Sequence, residues 1–277
     1  IRHSQNNQTK KVDLTLPNVS FSMDKIYPFK RESNSSTPAW YEKIGFSLST
    51  SLDNKVAVQE KNLFKRSVID SMRNGMKHDI PLMTSFNLLK FVTVSPSINY
   101  SESWHLKTIR KHWDEDSSRV VEDTVSGFRR AYQYSSGVSM STKIYGSFNF
   151  GKDKAIQAIR HVISPTISFS YSPDFSDPRY GFYKTVQTDT LGRTAKYSIF
   201  ERGVYGGPGA GESGTISFGL GNNLEMKVRS SKDSINNSKK IKILESLSFG
   251  SSYNLLADSM KLSPISFSGS TRLFDKI

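Results

Sequence analysis

The stretch Ala158-Ile159-Arg160-His161-Val162-Ile163-Ser164-Pro165-Thr166-Ile167-Ser168-Phe169-Ser170-Tyr171-Ser172-Pro173 alternates strictly in its second half. Ile163, Pro165, Ile167, Phe169 and Tyr171 fall on one parity, and Ser164, Thr166, Ser168, Ser170 and Ser172 on the other. Successive side chains of a strand point to opposite faces. This strand therefore has one apolar, aromatic face and one small, polar face. A soluble sandwich produces that pattern, and so does a membrane barrel with lipid outside and water inside. The rest of the chain repeats the device, and the repetition decides between them.

Upstream, Tyr132, Tyr134, Val138, Met140, Thr142 and Ile144 oppose Gln133, Ser135, Gly137, Ser139, Ser141 and Lys143. Before them, Ile80, Leu82, Thr84, Phe86 and Leu88 lead through a tight turn at Leu89-Lys90 into Val92, Val94, Pro96, Ile98 and Tyr100, a hairpin pattern. Ile44, Phe46, Leu48, Thr50 and Leu52 make an earlier row. Leu14, Leu16, Val19, Phe21 and Met23 change parity at Pro17-Asn18, which fits a strand with a bulge, where proline is tolerated. Downstream, Ile216, Phe218, Leu220, Leu224, Met226 and Val228 are interrupted only by Asn222. Leu247, Phe249, Tyr253 and Leu255 follow, and Ile265, Phe267, Thr271 and Leu273 finish the chain.

These rows predict about nine strands of about 10–16 residues, longer than the usual soluble strand. Long charged or Gly/Pro-rich loops are expected at 54–77, with a helical turn near Phe64–Met72, at 105–127, with room for a small hairpin of its own, and at 174–212. Short links are expected at 89–90 and 149–157. Short turns at one end and long loops at the other mark outer-membrane barrels. Gly and Ser along the polar rows suit a hydrated lumen better than a sandwich's outer face. The expected fold is all-β: a segment of an antiparallel transmembrane β-barrel, incomplete within this chain.

Two sets of site residues follow. Gln133, Lys143, Arg160, Asn223, Glu225, Lys227 and Arg229 are candidates to face the lumen, and Ile167, Phe169, Phe218, Leu220 and Phe267 to face lipid. Lys227 and Arg229 suit an anionic head group, or simply a solvated wall balanced by Glu225. Trp40, Trp104, Trp113, Tyr27, Tyr41, Tyr100 and Tyr132 lie near strand ends, where aromatic girdles or ordinary strand-end packing place such rings.

Composition narrows the class. Hydrophobic residues make up 36% of the 277 and aromatics 12%, a combination that disfavours disorder. No run reaches the roughly 18 apolar residues of a membrane helix. The chain has no cysteine, which removes disulfides, thiol catalysis and thiolate metal sites. Its charge of +13 suits nucleic acid, anionic lipid or lipopolysaccharide phosphate without choosing among them. The ends, Ile1-Arg2-His3 and Asp275-Lys276-Ile277, read as those of an internal fragment of a longer protein.

Catalytic and metal motifs are not expected. Gly206 to Ser213 imitates a phosphate-binding loop, but Glu212 stands where lysine is needed and a strand pattern follows where a helix belongs. A flexible loop tip is the expectation there. His105 and His112 with Asp114, Glu115 and Asp116 fit no ligand spacing. His161 lies on the outward parity, where an interfacial role is expected. No cofactor, no metal and no enzymatic activity are expected.

Several blocks resemble the LptD-like outer-membrane proteins of the Bacteroidetes type. They include Ile26-Tyr-Pro-Phe-Lys-Arg31, Trp40-Tyr-Glu-Lys-Ile44, Asn74-Gly-Met-Lys-His78, Gly127-Phe-Arg-Arg130, Ile159-Arg-His-Val-Ile-Ser-Pro165 and Asn222-Asn-Leu-Glu-Met-Lys-Val228. Tyr171 to Pro178 with Tyr180-Gly-Phe-Tyr183 joins them, and the blocks run in order through nearly the whole chain. The resemblance implies an outer-membrane translocon of Gram-negative bacteria that inserts lipopolysaccharide into the outer leaflet. It implies lipopolysaccharide and outer-membrane lipids as partners, with an LptE-like plug lipoprotein and periplasmic lipopolysaccharide bridge proteins, and no nucleic acid. It also implies that residues 1–277 are part of a single barrel domain, with an N-terminal periplasmic domain and the closing strands outside this chain. No gate residue of the family transfers to a position here. The alternatives are another large outer-membrane channel, such as a secretion or nutrient transporter, or a secreted β-sandwich binding module.

Overall fold

The computed structural model describes residues 2–31, 38–63, 65, 68, 71–151, 153–230 and 238–271. Its strands are β1 (Arg2–Asn6), β2 (Lys11–Ile26), β3 (Gly45–Gln59), β4 (Arg73–Met83), β5 (Phe86–Leu88), β6 (Val92–Asp114) and β7 (Arg119–Ser141). These are followed by β8 (Ile144–Asn149), β9 (Ile156–Ser172), β10 (Tyr183–Gln187), β11 (Thr194–Ser198), β12 (Ser213–Arg229), β13 (Ser238–Asn254) and β14 (Ser266–Ser270). Twelve of them form one sheet in the order β1-β2-β3-β4-β6-β7-β9-β12-β13-β14, with β5 beside β6 and β8 beside β9. β10 and β11 form a separate hairpin. The sheet is antiparallel and does not close on itself, as an incomplete barrel segment requires. Among the described residues no helix is long and apolar enough to cross a membrane.

The sheet has twelve strands rather than the expected nine because the polar edge at Arg2–Asn6 is itself a strand and because β5 and β8 are short pieces set off from β4 and β7; β10 and β11 add a hairpin within the expected loop 174–212. The larger difference is at 105–127. The charge density there predicts a loop with room for a small hairpin, whereas β6 and β7 run unbroken through it and turn over at Glu115–Ser118. The charges are compatible with strand because they pair across it. His112 Nδ1 lies 3.2 Å from Asp123 Oδ2, and Lys111 Nζ lies 3.9 Å from Glu122 Oε2. β3 likewise continues to Gln59 and β4 begins at Arg73, which shortens the expected loop at 54–77 from both sides. The helical turn expected near Phe64–Met72 falls largely outside the described residues, and so does Leu273.

The chain divides into two compact units. The first comprises Ile1–Met83, Ile98–Ser135 and Ser172–Glu212. Its β2–β3 register shifts between Thr15 and Asn18, at the predicted bulge. The shift explains the parity change, because Leu14 opposes Val56 before it, and Val19 and Phe21 oppose Leu52 and Thr50 after it. All of these lie on one face of β3, so the extra residue keeps the apolar row on that face.

The segment 173–212, expected as the longest loop, is the core of this unit. Phe175, Phe182, Val186, Tyr197, Ile199 and Phe200 pack with Ile109 and Ala131. Phe200 lies 4.8 Å from the His105 ring and 5.8 Å from Phe182, centre to centre. Tyr132 and Tyr134, which the alternation places on an outward row, pack against Phe182 and Phe175 at 5.2 and 5.4 Å. Tyr132 is thus covered by protein rather than free for a girdle.

The second unit comprises Thr84–Ser97, Ser136–Tyr171 and Ser213–Ile277. It contains the stretch that opened the sequence reading. Val138 opposes Phe169 and Met140 opposes Ile167, while Ser139 opposes Ser168 between them. Farther on, Leu220, Phe249 and Phe267 stand abreast across β12, β13 and β14. The intervening positions pair Gly219 with Gly250 and Gly250 with Ser266. The two parities of the sequence are two faces of one sheet.

Candidate functional site

The polar face of the second unit is built from serine and glycine. Ser248 and Ser268 are hydrogen-bonded through their hydroxyls at 2.8 Å, and Ser246 and Ser270 at 2.9 Å. Gly219 is required by a close approach: a Cβ there would sit 2.4 Å from Thr166 Oγ1. Small hydroxyl side chains satisfy one another across strands and leave this face wettable.

A charged cluster stands on that face. Arg160 on β9 donates from Nη2 to Glu225 Oε2 on β12 at 2.7 Å. Glu225 opposes Lys242, Lys227 opposes Lys240, and Arg229 opposes Ser238. Lys242 lies 3.4 Å from Glu245 Oε1. Asn223 Nδ2 donates to the Glu245 carbonyl at 2.7 Å. Lys227, Arg229 and Lys240 are exposed and form no ion pair among the described residues. Five cations therefore stand over two carboxylates. Exposed pairs of this kind contribute about 0–1 kcal/mol to stability, so their arrangement matters more for what approaches them.

Of the candidate lumen residues, Arg160, Asn223, Glu225, Lys227 and Arg229 come together here. Lys143 lies apart, exposed in the break between β7 and β8. Gln133 belongs to the first unit, where it lines a cavity of about 380 Å³ with Asp79, Asn99, Ser101, Ser135 and Ser172. Lys240, Lys242 and Glu245 were not singled out from sequence. Only the β12–β13 register reveals that Lys240 and Lys242 stand opposite Lys227 and Glu225, and Glu245 joins through Lys242.

The candidate lipid-facing residues are all exposed on the other parity: Ile167 44%, Phe169 37%, Phe218 44%, Leu220 40% and Phe267 77%. Two polar residues on this face find each other, with His161 Nε2 3.1 Å from Asn222 Oδ1. That contact accounts for the one break in the β12 apolar row.

Other motifs resolve differently. The segment Gly206–Gly211 is a packed strap rather than a free tip: Gly211 N donates to Asp174 Oδ1 at 2.8 Å, and a Cβ at Gly207 would lie 2.6 Å from Ser198 Oγ. The hydrogen bond from the Ser176 side chain, with those from the Gly211 and Ser176 amides, holds the Asp174 carboxyl below its usual range. His105 is buried against Phe200 with Nε2 2.9 Å from Ser103 Oγ, whereas His112 pairs with Asp123. The two histidines serve separate local contacts. No group of three or more potential metal ligands occurs among the described residues.

Compared with known families, residues 1–277 match the family described as LptD protein. No curated protein and no solved structure matches the chain.

Proposed function

Because this chain belongs to the LptD protein family, outer-membrane proteins of lipopolysaccharide transport, we propose that it forms part of the barrel wall of a translocon that inserts lipopolysaccharide into the outer leaflet. One observation carries the reading: a single sheet has an exposed aromatic and aliphatic face and an opposite face of serine, glycine and cations. An amphipathic lipid needs both a polar path for its sugars and phosphates and an apolar surface for its tails. On this reading Ile167, Phe169, Phe218, Leu220 and Phe267 meet membrane lipid, and Arg160, Lys227, Arg229, Lys240 and Lys242 meet phosphate. Gln133 and Lys143, which lie apart from that cluster, are read as facing the lumen. Residues 1–277 belong to one barrel domain, and the barrel itself performs no covalent chemistry. Its partners are lipopolysaccharide, outer-membrane lipids, an LptE-like plug lipoprotein and periplasmic bridge proteins.

Phosphate contacts along a conduit must be weak, because the cargo has to leave. Exposed, water-screened cations supply that weakness. Reversing Lys227→Glu together with Arg229→Glu in the full-length protein is expected to lower photo-crosslinking of lipopolysaccharide on this face and to slow its arrival at the cell surface. The heat-modifiable mobility of the folded barrel is expected to persist, because the charges face water. Undiminished crosslinking and delivery would reduce the cluster to a solvated wall.

A further inference from the structure

His105 has no part in the path above, yet with Phe200 it is the largest fully buried side chain among the described residues, at 0% exposure. Its ring lies 4.8 Å from Phe200, centre to centre, and its Nε2 lies 2.9 Å from Ser103 Oγ. Nδ1 is enclosed and makes no hydrogen bond of ordinary geometry among the described residues. Gly203 closes over the ring so tightly that a Cβ there would sit 2.6 Å from Nδ1. The cover is the run Phe200–Pro208, folded on itself by Gly203 N to the Phe200 carbonyl at 2.8 Å and Gly206 N to the Gly203 carbonyl at 3.3 Å. It is fastened to the sheet on either side of the ring. Ile109 N donates to the Ile199 carbonyl at 2.9 Å, and the Tyr205 hydroxyl donates to the Ser51 carbonyl at 2.9 Å.

This seat suits a neutral imidazole only. A protonated ring has two N–H donors and a charge, and needs water or an anion beside it. The titratable side chains on the surrounding elements are Lys77 on β4, Lys107 and Lys111 on β6, Glu122 on β7, Tyr197 on β11, and Glu201, Arg202 and Tyr205 on the cover. Lys111 pairs with Glu201 and Glu122, Arg202 with Glu122, and Lys77 with Asp79. None of them gives the ring a counter-charge. Burial disfavours the charged ring and outweighs the nearby Gly206 backbone, which favours it. On the membrane reading this level also lies outside the hydrocarbon. β6 has 23 residues, where a crossing needs about 10, and Glu102, close by on β6, pairs with Arg130 at 3.7 Å.

We propose that His105 is an acid-sensitive latch: the neutral ring holds the Phe200–Pro208 cover on the sheet, and the protonated ring releases it. Tyr205–Pro208 form one wall of a narrow cleft whose other wall includes Lys77, Ser101, Ser103 and Gln133. Release therefore bares the polar face on which Gln133 lies. In the open segment the ring titrates as an ordinary histidine, near about pH 6.5. Closure keeps its full stability above that pH and weakens about tenfold for each pH unit below it, until the closed ring itself takes up a proton. A local opening of this kind leaves the rest of a sheet in place. The latch rests on the packing of the first unit and is independent of lipopolysaccharide transport.

Hydrogen exchange of the folded full-length protein in detergent micelles, corrected for the intrinsic pH dependence of exchange, tests the latch. Protection of Phe200–Pro208 is expected to be level above about pH 7 and to fall about tenfold per pH unit below about pH 6.5. Protection of Ser213–Arg229 and Ser238–Asn254 is expected to stay constant. In His105→Gln, whose amide can still meet Ser103, the fall is expected to vanish, and in His112→Gln it is expected to persist. A level profile in the wild type, or a fall that persists in His105→Gln, would overturn the latch. Should His105→Gln not fold, the carbon-13 imidazole signal of His105 in the wild type decides. Titration well below about pH 6.5, in step with the loss of protection, is expected. Titration near about pH 6.5 with protection unchanged would show that the ring is not the latch.

Discussion

In the first unit Phe200 is 1% exposed and packs on His105 and Phe182; in the second, Phe267 is 77% exposed and stands beside Phe249, itself 40% exposed. The difference extends beyond these rings. Among the described residues, every buried apolar side chain but Val94 lies in the first unit. The first unit covers part of its sheet with residues 173–212 and so supplies its own apolar environment. The second pairs serine with serine on its polar face, and among the described residues its apolar rows stay exposed. A sheet with one greasy face is stable only when something apolar covers that face. On the reading proposed above, lipid is that cover. On that reading the same aromatic-rich composition serves two solvents, protein in one unit and bilayer in the other.

The comparison is broken most forcefully at Phe200. Phe200→Ala removes a fully buried ring and is expected to cost the first unit about 3–5 kcal/mol. Hydrogen exchange is expected to rise in Tyr183–Gln187 and Thr194–Ser198 and to stay constant in Ser213–Arg229 and Ser238–Asn254. A rise of equal size in all four strands would show that the two units do not keep separate accounts of burial.

Phe218→Arg tests the other half. If the row faces lipid, the substitution is expected to cost about 2–4 kcal/mol near mid-membrane depth, read as loss of the heat-modifiable barrel. Ser217→Arg, on the polar face, is expected to fold nearly normally. Single cysteines sharpen the contrast, since the chain has none of its own. A membrane-impermeant thiol reagent is expected to label Ser168→Cys and Ser217→Cys. Preferential labelling at Ile167→Cys and Phe218→Cys would reverse the faces.

Where the fold was legible, a period of two carried it. Ile163 to Tyr171 and Ile216 to Leu220 announce their faces because only one residue type recurs at each parity. Where it was not, pairing decided. His112 and Lys111 look like loop charges until Asp123 and Glu122 come beside them, and that register lies outside any local window. The basic cluster was half visible for the same reason: Glu225, Lys227 and Arg229 alternate on one strand, but Lys240 and Lys242 join them only through β13. The core of residues 173–212 was the least legible part. Phe175, Tyr180, Phe182 and Phe200 have no common period, and their meeting depends on turns such as the one at Gly181, where φ is +68°.

The smallest expected effect concerns how that core is tethered. Tyr205 donates its hydroxyl to the Ser51 carbonyl at 2.9 Å, and its ring lies against Gly75. Burial, followed by the nearby Asp53 and Asp79 carboxylates, pushes its phenol up to about 12. An unfolded tyrosine titrates near 10. The folded state therefore favours the protonated ring, and the tether is complete below about pH 10 and fades as the pH rises toward about 12. Tyr205→Phe is expected to cost about 1 kcal/mol, the worth of one hydrogen bond, and to remove this alkaline dependence. The tyrosinate absorbance difference between wild type and Tyr205→Phe isolates the single ring among the twelve tyrosines of the chain. Titration of that difference near pH 12 is expected; titration near pH 10 would mean that the ring is not seated on β3 and β4, and that the first unit holds residues 173–212 by the Phe200 cluster alone.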